Sequence, residues 1–350
     1  MKKILLQSTI AFVAIFIGIH FASAQDKAYK VGCVAFYNTE NFFDTINDPK
    51  TNDDDYTPDG ICKWTSKRYL TKVEHISTVI SEIGDELVKG GPVVMGLAEI
   101  ETEQVLEDLV DAPALRPSHY GIVFYKSPDS RGISVGFIYQ KEHFSVINSK
   151  AVPLRFKENP NFKTRDQLVV YGKFDGDPMY FIVNHWPSRY SGTKKSAPFR
   201  NAAADLTKSI VDSIQKIDST AKIIVMGDLN DDPINESIVK HLKAKSKMKD
   251  VGKNDLFNPM YTLYKKDGLG TLSYQNNWDL FDQIMVTGTL LGDDKSAYKF
   301  YRANIFNKKT YLFQQDGPYK GSLFRTYASN NYLGGYSDHL PSYIFLVKQK

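Results

Sequence analysis

The chain is 350 residues long and carries 44 Lys and Arg against 40 Asp and Glu, a formal charge of +4. That balance is near neutral and neither demands nor forbids a polyanionic substrate. Its two cysteines, Cys33 and Cys62, lie too far from other ligand types to build a zinc site. A disulfide and two free core thiols both remain open.

Lys2 and Lys3 precede an apolar run from Ile10 to Phe21, and Ala22-Ser23-Ala24 follows with the small-x-small pattern of a cleavage site. A charged start, a short apolar stretch and that exit predict a secretory signal peptide over residues 1–24. Its loss removes two lysines and leaves a mature chain of near-neutral charge. The expected location is therefore exported, either periplasmic or secreted. No later segment is long and apolar enough to span a bilayer, so no stable membrane anchor is expected.

Beyond residue 24 the pattern predicts one domain over 25–350, in which short apolar runs alternate with amphipathic stretches. Val31–Tyr37, Pro92–Ala98, Gly132–Tyr139, Gln167–Phe174, Met179–Asn184, Ala221–Gly227, Leu280–Thr287 and Pro341–Val347 read as strands. Arg68–Ile83 repeats Leu70, Val73, Ile76, Val79, Ile80 and Ile83 at helical spacing. Phe199–Ile217 and Ile234–Leu242 read as helices too. The class is mixed α/β. Two polar, glycine-containing loops, Asn52–Gly60 and Tyr264–Asp279, are long enough to carry function.

Polar residues gather at the C-terminal ends of the apolar strands. Asn38 and Glu40 follow the first, Glu99 the second, and Asn184-His185-Trp186 a third; Asp228 and Asn230 close a fourth. Leu280-Phe281 leads into Asp282, and Asp338-His339 stands just before the last strand. Each has a plain structural explanation alone, as a turn cap or a hydrogen-bonded core histidine. Together they differ, because strand ends of a packed sheet converge, and buried charge is costly unless paired or metal-bound. Carboxylate oxygens suit Mg²⁺, an aspartate can deprotonate water, and histidines can donate to phosphoryl oxygens.

Six segments then carry a resemblance: FYNTENFFD (Phe36–Asp44), LAEIE (Leu97–Glu101), VNHWPS (Val183–Ser188), GDLNDDP (Gly227–Pro233), WDLFDQI (Trp278–Ile284) and SDHLP (Ser337–Pro341). Their order resembles that of the endonuclease/exonuclease/phosphatase superfamily, the deoxyribonuclease I-like metal-dependent phosphoesterases. The resemblance implies a four-layer α/β sandwich, two packed mixed sheets flanked by helices. It implies metal ligation by Glu99, with Asn38 and Glu40 beside it and Asp338 completing or supporting the shell. Mg²⁺ is the implied ion, with Mn²⁺ or Ca²⁺ as substitutes. It further implies that Asp228 activates water, Asn230 holds phosphate or water, and His339 stabilises the phosphorus centre, oriented by Asp282. His185 falls where some branches carry a second histidine. Glu40 departs from the aspartate of several branches.

Arg131 and Arg165, each beside an aspartate, can clamp a phosphate or form internal ion pairs. Trp186 and Arg189 are placed to touch substrate, and Arg189, Lys194, Lys195 and Arg200 form an acid-free stretch after His185 that can serve as a basic rim. Nucleic acid is the favoured substrate, with the chain acting as an endonuclease. A sphingomyelinase-like or inositol-phosphatase-like hydrolase and an inactive binding protein on the same fold are the alternatives. A monomer is expected.

Overall fold

The computed structural model describes residues 28–156, 159–274 and 277–350. The expected signal peptide, residues 1–24, lies outside them. Along the chain the strands begin with β1 (Tyr29–Phe42), β2 (Val94–Ile100), β3 (Tyr120–Phe124) and β4 (Ser134–Gln140). They continue with β5 (Phe144–Val152), β6 (Gln167–Phe174), β7 (Asp177–His185), β8 (Ile223–Asp228) and β9 (Leu256–Phe257). The remainder are β10 (Leu272–Tyr274), β11 (Asn277–Asp279), β12 (Asp282–Thr287), β13 (Lys299–Ile305), β14 (Tyr327–Ala328), β15 (Asn331–Tyr332) and β16 (Ser342–Gln349). The helices are α1 (Ser66–Glu82), α2 (Glu103–Val110), α3 (Thr193–Ile217) and α4 (Met260–Lys265).

Two six-stranded sheets result, one ordered β13-β16-β1-β2-β4-β3 and the other β5-β6-β7-β8-β12-β9. Both are mixed, since β1–β2 and β7–β8 are parallel while their other pairings are antiparallel. Alternation along each strand assigns the layers. Val34 and Phe36 of β1 meet Val170, Phe181, Val183, Ile224 and Ile284 of the second sheet in a shared inner core. Cys33, Ala35 and Tyr37 point the other way, under Val73, Ile76 and Ile80 of α1 and Leu106 and Leu109 of α2. Val169, Ile182, Ile223 and Val225 carry the outer face of the second sheet against Ala203, Ala204, Ile210 and Val211 of α3. The order is helix, sheet, sheet, helix, the expected four-layer sandwich. The sheets approach closely at Gly96, where an added Cβ would stand 2.7 Å from Met226 Sδ and 2.9 Å from Val183 Cγ1.

Several expectations need correction. Leu70 does not join the buried face of α1 and is 60% exposed. The third helix begins at Thr193, ahead of the expected Phe199. Ile234–Leu242 shrinks to a π-helical turn over Ser237–His241. Of the two states left open for Cys33 and Cys62, the structure has both as buried free thiols.

Candidate active site

The first two strands do not end where their apolar runs end. β1 continues to Phe42 with a register shift against β2 between Asn38 and Phe42, and β2 shifts against β4 between Ala98 and Ile100. Such bulges rotate the strand and re-aim a side chain. Four residues here hold left-handed backbone without being glycine: Glu40 (φ 53°), Asn41 (φ 47°), Glu99 (φ 64°) and Asn230 (φ 49°). Strain of this kind persists only where the surroundings enforce it, and it clusters at functional sites. The twist brings Asn38, Asn41 and Glu99 to one cleft of about 690 Å³ with Arg131, Arg165, His185, Asp228, Asn230, Asp338 and His339.

Asp228 lies at the centre. Its Oδ2 accepts from Asn38 Nδ2 at 2.9 Å and its Oδ1 from the Asn230 N–H at 2.9 Å. Two imidazoles face it, His185 Nε2 at 3.6 Å from Asp228 Oδ2 and His339 Nε2 at 3.9 Å. Strand pairing explains the meeting, because His185 is in register with Asp228 across β7–β8, and Asp282 with Asp228 across β12–β8. Asp282 is fully buried behind the cleft, and its Oδ2 lies 2.7 Å from His339 Nδ1.

The two histidines sit in opposite fields. Burial drives the His185 pKa well below its ordinary value, helped by Arg165 and Arg131. His339 is equally buried, yet Asp282, then Asp228 and Asp338, outweigh burial and raise it well above the ordinary range. His185 Nδ1 has no hydrogen-bond partner among the described residues. A bare ring nitrogen is cheaper to bury than an N–H, which assigns the proton to Nε2, toward Asp228 and Glu99. Burial also lifts the Asp228 carboxyl, to about 6.

Three of the expected contacts are corrected. Glu40 does not line the cleft: its carboxylate takes Arg325 Nε at 3.2 Å and the Thr326 N–H at 2.7 Å. Trp186 is 1% exposed and packs under α3, its indole N–H donating to Asn184 Oδ1 at 3.1 Å. Arg189 is held by Asp231 at 2.9 Å and Asp232 at 3.3 Å and stacks on Phe281. Arg200 pairs internally as well, with Asp231 at 2.8 Å, so the stretch after His185 keeps only Lys194 and Lys195 as exposed cations. Arg165 is buried and paired with Asp129 at 3.1 Å; Arg131 is partly exposed and reaches toward Glu99 Oε1 at 3.7 Å. The sequence pattern passed over Asn41, Asp129, Lys163, Phe162, Phe199 and Tyr190, which also line the cleft, and Arg325.

The residues fit a hard divalent cation. Glu99 Oε2 accepts the Asn41 N–H at 2.7 Å, while Oε1 faces the cleft, with the Arg131 guanidinium at 3.7 Å and the neutral His185 ring at 3.8 Å. Asn38, whose amide oxygen also accepts the Glu40 N–H at 3.0 Å, and Asp338 line the same cleft, and their oxygens with those of Glu99 are the donor type a hard cation takes. Asp228, Asp282 and His339 also converge tightly enough to suggest a metal. We assign that trio instead to proton handling, because His339 Nδ1 is already committed to Asp282 at 2.7 Å.

A four-layer sandwich with acids, amides and two imidazoles at one end of its paired sheets defines a metal-dependent phosphoesterase. The chain belongs to the Endonuclease/Exonuclease/phosphatase family, which it matches over residues 33–348. No curated protein matches it. Among solved structures it is similar to TDP2 of D. rerio humanized by 14 mutations, at 13% identity and TM-score 0.55, over 90% of this chain and 98% of that one. It is also similar to a mannosyl-6-phosphatase of Bacteroides thetaiotaomicron, at 16% identity and TM-score 0.54, over 90% of this chain and 99% of that one. A family protein from the same organism aligns at 18% identity and TM-score 0.54, over 92% and 97% of the two chains.

Proposed function

We propose that this chain is an exported, Mg²⁺-dependent hydrolase of compact phosphoesters, using Asp228 to take the proton from an attacking water. The carrying observation is that both imidazole Nε2 atoms lie within 3.9 Å of Asp228 Oδ2. Glu99, Asn38 and Asp338 would hold the Mg²⁺, which supplies charge neutralisation at the phosphoryl group. Asn38 and the Asn230 N–H fix both Asp228 oxygens, so the base meets water in one orientation. His339, its Nδ1 on Asp282, presents a donor from Nε2 to a phosphoryl oxygen. His185 offers a second donor. Arg131, the exposed guanidinium of the cleft, suits an anionic substrate oxygen.

The preference for a compact substrate over nucleic acid rests on Arg189 and Arg200. Both are consumed by internal carboxylates and are lost to a basic groove. The sugar-phosphatase activity named for one similar structure is of this kind. One observation favours the nucleic-acid reading: Tyr190 is 99% exposed at the rim, near Lys194 and Lys195, as a stacking platform for single strands would be. A similar structure is of D. rerio TDP2 with a single-strand DNA product.

The test is a substrate panel with Mg²⁺ and then with chelator: sugar phosphates, inositol phosphates, sphingomyelin, plasmid and single-stranded nucleic acid. Cleavage of small phosphoesters is expected, and His339→Ala and Asp228→Asn should each cut turnover at least about 100-fold. Turnover on nucleic acid alone would move the assignment to a nuclease, and none on any substrate would end the enzyme reading. Export predicts a secreted chain whose intact mass begins at Gln25.

A further inference from the structure

Arg325 lies outside every sequence motif, yet its guanidinium joins Glu40, outside the cleft, to Asp338 within it. Nε donates to Glu40 Oε1 at 3.2 Å and Nη2 to Asp338 Oδ2 at 2.8 Å. Glu40 is 3% exposed, and its second oxygen accepts the Thr326 N–H at 2.7 Å. Behind this pair the buried Lys72 ammonium of α1 donates to Thr326 Oγ1 at 2.5 Å and to the Tyr336 carbonyl at 3.3 Å. Thr326 and Tyr336, the two ends of the loop that lies between Arg325 and Asp338, are thus tied to one helix. The bracket ends on Asp338, whose Oδ1 lies 4.0 Å from His339 Nε2.

We propose that Arg325 is a positioning residue for Asp338, with Glu40 as its anchor, and that this bracket sets the affinity of the site for its divalent cation. The inference rests on the reading of Asp338 as a ligand. A guanidinium is suited to the task, since its fixed fork can hold two carboxylates at once while an ammonium is a single point charge. With one Asp338 oxygen held by Nη2, the other is the one left to face the cleft. The glutamate at position 40 then has a reason. Its longer side chain takes the carboxylate out of the cleft to Arg325, and its role is to anchor rather than to ligate.

The test is calorimetric titration of the full-length mature chain with Mn²⁺ alone and Mg²⁺ alone, without substrate. The variants are R325K, D338N and the double variant. Lysine keeps the charge and removes the fork, which matters because deleting a cation would by itself favour metal binding. R325K should weaken binding about tenfold or more, as loss of a ligand's orienting partner does. In the R325K background, D338N should then cost much less than it does in the wild type. Wild-type affinity in R325K, or two effects that simply multiply, would overturn the proposal. Should R325K fail to fold, E40Q keeps the anchor's shape and removes its charge; it should weaken binding in the same direction, and unchanged affinity there overturns it too. Absence of any binding to the wild type would remove the metal reading and this inference together. Metal binding with a silent substrate panel would remove the substrate reading alone.

Discussion

His339 Nδ1 and Asp282 Oδ2 are 2.7 Å apart in a buried contact, and Asp282 Oδ1 has no hydrogen-bond partner among the described residues. A carboxylate buried with one free oxygen is stable only if the ring beside it is charged or strongly polarised. Asp282→Asn should therefore leave the fold intact and lower kcat by at least about 100-fold, since the amide holds the ring without stabilising its charge. Steady-state rates with a melting curve on the same sample decide it. A kcat within a fewfold of wild type would show that His339 works without its acid.

Arg131 and Arg165 both face the cleft, but their supports differ. Arg165 is buried against Asp129 at 3.1 Å and donates to the Trp186 carbonyl at 2.5 Å, whereas Arg131 is 41% exposed at its side chain. Breaking a buried pair leaves an uncompensated charge, so Arg165→Met should destabilise by about 3 kcal/mol or more in urea unfolding. Arg131→Ala should change stability by no more than about 0.5 kcal/mol and should raise KM. The opposite pattern, a stable Arg165 variant with impaired binding, would make Arg165 the substrate clamp.

What could be read in advance divides along physical lines. Glu99, Asp228 and His339 were legible because each polar group stands beside the end of an apolar strand, and ends of packed strands must converge. Glu40 was misjudged because its partner Arg325 is 285 residues away, and nothing local announces a bond at that separation. Trp186 was misjudged against an available signal. Neighbours on a strand point to opposite faces, so a cleft-facing His185 places Trp186 on the α3 side. The edge strands β5 and β13 escaped notice for another reason: each buries a single residue, so no continuous buried run marks it.

Far from the cleft, the β6–β7 turn is clasped to the other sheet. Asp175 accepts from Lys30 Nζ at 2.5 Å and Tyr298 Oη at 2.7 Å, and His143 Nδ1 lies 3.0 Å away. Burial opposes the Asp175 charge, but the bonds from Lys30, Tyr298 and His143 outweigh it and hold the carboxyl below its ordinary range. A folded-state pKa below the unfolded one stabilises above the unfolded value, about 4, and that stability is lost as pH falls through the folded value. Asp175→Asn keeps a side chain tolerant of the left-handed backbone here (φ 46°) and removes the charge. Its melting temperature should lie below wild type at neutral pH, and the gap should close as pH drops below about 4. A gap independent of pH would assign the effect to shape.

Glu99, Asp228 and Asp338 line one cleft before any cation is considered, and like charges gathered in one place disfavour a compact metal-free fold. A cation that binds only the folded state returns stability by mass action, about 2.7 kcal/mol at a hundredfold excess over Kd. Mg²⁺ should accordingly raise the wild-type melting temperature by several degrees, reversibly with chelator. In Glu99→Gln the shift should vanish while the metal-free protein melts no lower than wild type, because one of the repelling charges is gone. A Glu99→Gln protein that still gains stability from Mg²⁺ would place the ion elsewhere, and the trio Asp228, Asp282 and His339 would be the next site to test.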